Sequence, residues 1–226
     1  MRLIKSIALF VAIVIVLLAV PLLFLLGDGA ERAPYDEGLL PWRIERLPNG
    51  ASRAFGLTLG ESTLADAYRR FGDDAKIALI AAQGESGSVE AYYDSAQAGP
   101  ITGKMILTLE TTQPQREAML QRAVKAEVTE NAARRITLAE ADLQELRQAR
   151  IAGITFIPSA NLTEDIVEQR FGTPGEKIRI DERITHWLYP EKGLDVQLDA
   201  KGKEVLQYVA PADFSRLRDP LRAAAQ

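Results

Sequence analysis

The chain has 226 residues, 47% of them hydrophobic, and a formal net charge of −4. It contains no cysteine, which excludes disulfides, thiolate nucleophiles, cysteine zinc sites and lipid attachment through an N-terminal cysteine, and its single histidine, His186, cannot build a His-rich metal centre. The acidic balance, with no basic cluster interleaved with aromatics, argues against a nucleic-acid partner.

Residues 7–26 are an uninterrupted apolar run. At about 1.5 Å rise per residue a helix of that length spans the roughly 30 Å hydrocarbon core of a bilayer, so the run predicts a transmembrane helix. Arg2 and Lys5 precede it and Asp28 and Glu31 follow, so the positive-inside bias leaves residues 1–6 in the cytoplasm. The expectation is a single-pass inner-membrane protein with a periplasmic body, with the lipid bilayer as its partner through residues 7–26. Residues 27–41 mix Gly, Pro and charge without periodicity and predict a linker.

A first α+β repeat is expected over 42–112. Alternating residues flank Asn49-Gly50, a hairpin signal, because both tolerate the positive φ of a tight turn. Thr63 and Asp66 have capping spacing, Leu64, Ala67, Tyr68 and Phe71 share one helical face, and Gly72 ends the helix. Strands are predicted at 76–81, 88–93 and 104–110. The turn Gln83-Gly84-Glu85-Ser86-Gly87 lacks the lysine and spacing of a P-loop. A connecting stretch, 113–136, carries an amphipathic helix predicted over 115–128 from Met119, Leu120, Ala123, Val124 and Val128.

The second α+β repeat is expected over 137–226. Thr137-Leu138-Ala139-Glu140 has the form of a capping box before a helix bearing Leu143 and Leu146. Then come an extended segment at 154–158, a helix over 162–171 capped from Asn161 and Glu164, and three strands at 184–189, 194–198 and 204–209. Apolar residues on both faces of the outer strands require a cover. Phe214, Leu217 and Leu221 predict a short closing helix stopped by Pro220.

Both repeats run from Gly-aliphatic-Thr to a helix closed by Arg-Phe-Gly, at 70–72 and 170–172, and then to strands, the mark of an internal duplication. The fold class expected is therefore α+β: an N-terminal transmembrane helix followed by two related units, each a short helical part on its own small antiparallel sheet. The second unit, with Phe171-Gly172-Thr173-Pro174 and the aromatic strand His186-Trp187-Leu188-Tyr189, resembles the SmpA/OmlA-type fold of a small lipoprotein in bacterial outer-membrane assembly, tandem copies of which form the β-lactamase inhibitory protein. The resemblance implies a non-enzymatic envelope protein that binds or scaffolds other proteins, possessing here an anchor where that family has a lipidated cysteine.

Tyr92, Tyr93, His186, Trp187 and Tyr189 are the candidate binding residues, because aromatic groups exposed on a sheet anchor interfaces. Two alternatives stand beside protein binding. One is an envelope hydrolase with His186 as general base, although no Gly-x-Ser-x-Gly elbow is present. The other is a sensor or carrier holding a small molecule between the repeats. The acids Asp195, Asp199, Glu164 and Asp165 are expected to face solvent or cap a helix. No motif calls for a cofactor or metal.

Overall fold

The structure, a computed structural model, describes residues 35–82, 85, 87–129 and 132–225. Its first strands form a small sheet of β1 (Glu45–Arg46), β2 (Ser52–Ala54) and β3 (Leu57–Thr58). The Asn49-Gly50 signal lies between β1 and β2, which pair antiparallel with Arg46 opposite Ser52. Between β2 and β3 the turn is Phe55-Gly56, with φ of 53° and 72°, the pattern whose twist suits a two-residue hairpin. A phenylalanine in that conformation is strained, and its packing offsets the strain. The ring is fully buried, 5.2 Å from the ring of Phe156 and 5.1 Å from that of Tyr208.

The remaining elements are α1 (Leu64–Phe71), β4 (Lys76–Ala81), β5 (Ser88–Ala98), β6 (Ile101–Leu109), α2 (Gln113–Gln121), β7 (Lys125–Val128), β8 (Arg134–Thr137) and α3 (Glu140–Leu146). They continue with β9 (Ile151–Pro158), α4 (Glu164–Phe171), β10 (Glu176–Arg179), β11 (Ile184–Tyr189), β12 (Leu194–Asp199), β13 (Val205–Val209) and α5 (Ser215–Ala224). β4 to β13 form one ten-stranded antiparallel sheet in the order β10-β11-β12-β13-β9-β6-β5-β4-β8-β7.

This corrects the expected fold class. The strands of the two expected units do not make two small sheets, because β9 is paired on both edges, with β6 on one side and β13 on the other. The physical reason lies in β9 itself. Ile151, Ile154 and Phe156 are almost wholly buried, and a strand so apolar is satisfied only at the centre of a sheet. The result is mostly β, with five α-helices among the described residues.

The transmembrane helix expected at 7–26 and the linker up to residue 34 lie outside the described residues. Among the described residues no helix is long and apolar enough to cross a membrane, the longest being α5 with 10 residues. The expected single-pass inner-membrane location with a periplasmic body is corrected on that finding. Residues 83, 84 and 86 of the turn before β5 also lie outside the description.

Several local expectations change too. The helix expected over 115–128 stops at Gln121, and 125–128 is strand β7, paired with β8. Thr137 ends β8 instead of capping a helix, and α3 begins after Ala139 with no side-chain cap. The cap of α4 is Thr163, whose hydroxyl accepts from the N–H of Ile166. Pro220 sits inside α5, which runs on to Ala224.

One row of side chains shows where the core lies. Tyr93, Met105, Phe156, Leu206, Val196 and Trp187 are cross-strand neighbours in that order across six strands, and all are buried. They define the inner face, on which α1, α4 and the small sheet pack through Leu64, Ala67, Val167, Phe171 and Phe55. The next register row, Tyr92, Ile106, Thr155, Gln207, Asp195 and Leu188, points to the outer face.

Candidate functional site

Alternation in β11 sends Trp187 and Tyr189 to the inner face and His186 and Leu188 to the outer one. Trp187 is 2% exposed, and the ammonium of Lys177, its neighbour on β10, lies 3.5 Å from the ring centroid. The Tyr189 hydroxyl donates to the carbonyl of Gly172 at the end of α4 (3.0 Å), and burial raises its pKa to about 12. Tyr93 does the same at the end of α1, donating to the carbonyl of Gly72 (2.9 Å), and burial again pushes its phenol well up. Three of the five candidate aromatic and histidine positions therefore hold the core together.

His186 is buried on the outer face. Its Nδ1 lies 2.8 Å and 3.0 Å from the two carboxylate oxygens of Asp195. The β11–β12 register explains the meeting: Leu188 is directly opposite Asp195, so His186, two residues back, reaches it diagonally. Asp195, expected to face solvent, is 1% exposed. Burial raises its pKa, and the bond from His186 opposes that rise. Phe214, just before α5, packs with Leu217 and Leu221 of that helix over this part of the face against Ile178, Leu188 and Val209. The orientation of a histidine by a carboxylate is the first half of a general-base pair. Here it stands beneath a helix, and among the described residues no group of three or more His, Asp and Glu could hold a metal.

Where the two expected repeats meet, β6 and β9 run hydrogen-bonded to each other, with Met105 opposite Phe156.

Tyr92 is the candidate that reaches the surface. It is half-buried on the outer face beside Ile106 and Thr155, over strands that α5 does not cover. Lys76, its neighbour on β4, is ion-paired with Asp94. Where β5 begins and β6 ends, near Thr108, this face runs into an open groove of about 550 Å3 lined by Ser88, Thr108, Thr112, Arg116, Arg150 and Arg216. Arg116 donates to the carbonyl of Thr111, Arg150 is held by Glu110 (2.8 Å), and Arg216 is exposed on the first turn of α5.

Sequence reasoning missed the arginines because the segments carrying them are far apart in the chain and meet only through the pairing of β6 with β9 and the packing of α5 beside them. The His186–Asp195 pair was within reach. A hairpin closed by Pro190-Glu191-Lys192-Gly193 sets a register that brings these two residues together. Comparison with protein-family models, with curated proteins and with solved structures finds no match to this chain.

Proposed function

We propose that this chain is a non-enzymatic protein-binding module that receives an extended, acidic segment of another protein across the outer face of β4, β5, β6 and β9. The role agrees with what the SmpA/OmlA resemblance implies. The observation that carries it is the unequal cover of one continuous sheet among the described residues: α5 closes the outer face over β10, β11 and β13, while Tyr92, Ile106 and Thr155 are only half-buried and lead into the arginine-bearing groove. Aromatic and arginine side chains are enriched among the anchors of protein interfaces, and guanidinium groups bind carboxylates in a paired geometry. A net-negative chain that gathers three arginines around one groove favours a partner of opposite local charge.

The test is site-specific photo-crosslinking in the native host from Tyr92 and from Ile106, with Gln144 on α3 as control. The expected result is one common product from both outer-face positions, absent from the control, joined through an acidic stretch of the partner and lost when Arg150 and Arg216 are changed to Glu. Products that also form from Gln144, or that survive the arginine reversal, would rule the proposal out.

A further inference from the structure

The edge of the sheet at β7 is built differently from the rest. Among the described residues β7 pairs only with β8, and all four of its residues are exposed. Val124 and Val128 are 70% and 74% exposed, the most exposed large hydrophobic residues among those described. Ala126 lies opposite Ile136, which is buried in the core, so Val124, Ala126 and Val128 continue the apolar inner face past its last cover. Lys125 and Glu127 point to the other side and are ion-paired with each other.

A free strand edge is a template for another strand, and a lysine on it normally prevents pairing by placing an unmatched charge in the new interface. The sequence Val124-Lys125-Ala126-Glu127-Val128 removes that obstacle for one partner. Set antiparallel against itself about Ala126, it places Val124 opposite Val128, Lys125 opposite Glu127 and Ala126 opposite Ala126. Every charge then faces its opposite, and six apolar side chains share one face. A slip of one residue destroys the match, since it turns the charges against the apolar side.

We infer that β7 is a self-association edge: two copies of this chain pair β7 to β7 about a twofold axis through Ala126, continuing one ten-stranded sheet into the other. A twofold contact of this kind uses the same patch on both copies, which is what a pattern that reads alike in both directions supplies. The contact lies away from the arginine-bearing groove, so the two proposals stand or fall separately.

Sedimentation of the full chain, in one mild detergent throughout, tests the inference. A dimer of the 24.8 kDa chain is expected. Lys125→Glu and Glu127→Lys each set two pairs of like charges against one another and should weaken it by about tenfold or more in Kd. The double reversal Lys125→Glu/Glu127→Lys should restore the dimer, and the two single variants should associate when mixed. The chain has no cysteine, so Ala126→Cys gives a single thiol that a short bis-maleimide should join to its symmetry mate. A monomer at every concentration overturns the inference, as does a dimer indifferent to the charge reversals or one in which Ala126→Cys fails to crosslink.

Discussion

The two halves of the ten-stranded sheet are alike on one face and unlike on the other. On the inner face each half secures a helix in the same way. Tyr93 donates to the carbonyl of Gly72, just past α1, with the Phe71 ring 5.9 Å away, and Tyr189 to that of Gly172, just past α4, with the Phe171 ring 6.1 Å away. On the outer face Tyr92 and Leu188 stand in one register row, yet Tyr92 is only half-buried and Leu188 is wholly buried. The difference is α5, which covers one half only. What a sheet face becomes, core or surface, is decided here by a ten-residue helix and not by the strands beneath it.

The largest expected contrast is between the faces. Trp187→Ala empties a buried site and should cost roughly 3–5 kcal/mol in chemical denaturation, whereas Tyr92→Ala, on the bare half, should cost under about 1 kcal/mol. Equal losses would mean that the outer face of the first half is covered after all. Next comes the buried pair beneath α5. Asp195→Ala leaves the Nδ1 of His186 without its acceptor and should destabilise by about 1–3 kcal/mol. Asp195→Asn isolates the effect of pH. Burial raises the folded pKa of Asp195 above the unfolded 3.8, so this residue's contribution is complete at pH below 3.8 and is lost as pH rises through the folded value. Stability of the wild type relative to Asp195→Asn should fall across that window.

The helices α1 and α4 were legible because their signals are local: a short polar residue just before the helix and Phe-Gly at its end, all within a dozen residues, although in α4 the cap is Thr163 and not the expected Asn161. Val124 to Val128 misled because Val124 and Val128 fit a helical stripe as well as they fit alternation with Ala126, and only the pairing of β7 with β8 decides between the two. The joining of both halves into one sheet rests on β6 meeting β9, a contact between distant segments that no short pattern encodes. For the same reason the five candidate residues divided as they did. Sequence placed them on strands, but whether Tyr92 or Tyr93 faced the core depended on which side α1 packed. Phe55 escaped notice because a bulky residue at positive φ is disfavoured locally and is tolerated only with Phe156 and Tyr208 around it.

A smaller contrast tests whether the inner faces match in energy as they do in geometry. Tyr93→Phe and Tyr189→Phe each remove one hydroxyl from a helix-end carbonyl and should each cost about 1 kcal/mol. The two sites share no partner, so the double variant should cost the sum within about 0.5 kcal/mol. A clear excess in the double variant would show that the two helices are coupled through the core.

The smallest contrast lies at the other ends of the same helices. α1 starts with a reciprocal box: the Thr63 hydroxyl accepts from the Asp66 N–H, and the Asp66 carboxylate accepts the Thr63 N–H at 2.7 Å. α4 has half of this, Thr163 accepting from Ile166 without a returning bond. Thr63→Ala should therefore cost about 1 kcal/mol and Thr163→Ala nearer 0.5 kcal/mol. The gap should also depend on pH. The Thr63 N–H, followed in weight by the opposing effect of burial and then by the Thr63 hydroxyl and Arg69, holds the Asp66 carboxyl below its ordinary 3.8. A depressed carboxyl contributes stability that is present above 3.8 and is lost as pH falls through the folded value. Denaturation at neutral pH and again near pH 2 should show the cost of Thr63→Ala shrinking towards that of Thr163→Ala, which has no carboxylate to titrate. A cost of Thr63→Ala that stays constant on acidification would mean that the bond from the Thr63 hydroxyl to the Asp66 carboxylate adds nothing to the cap, since the variant keeps the bond from the backbone N–H.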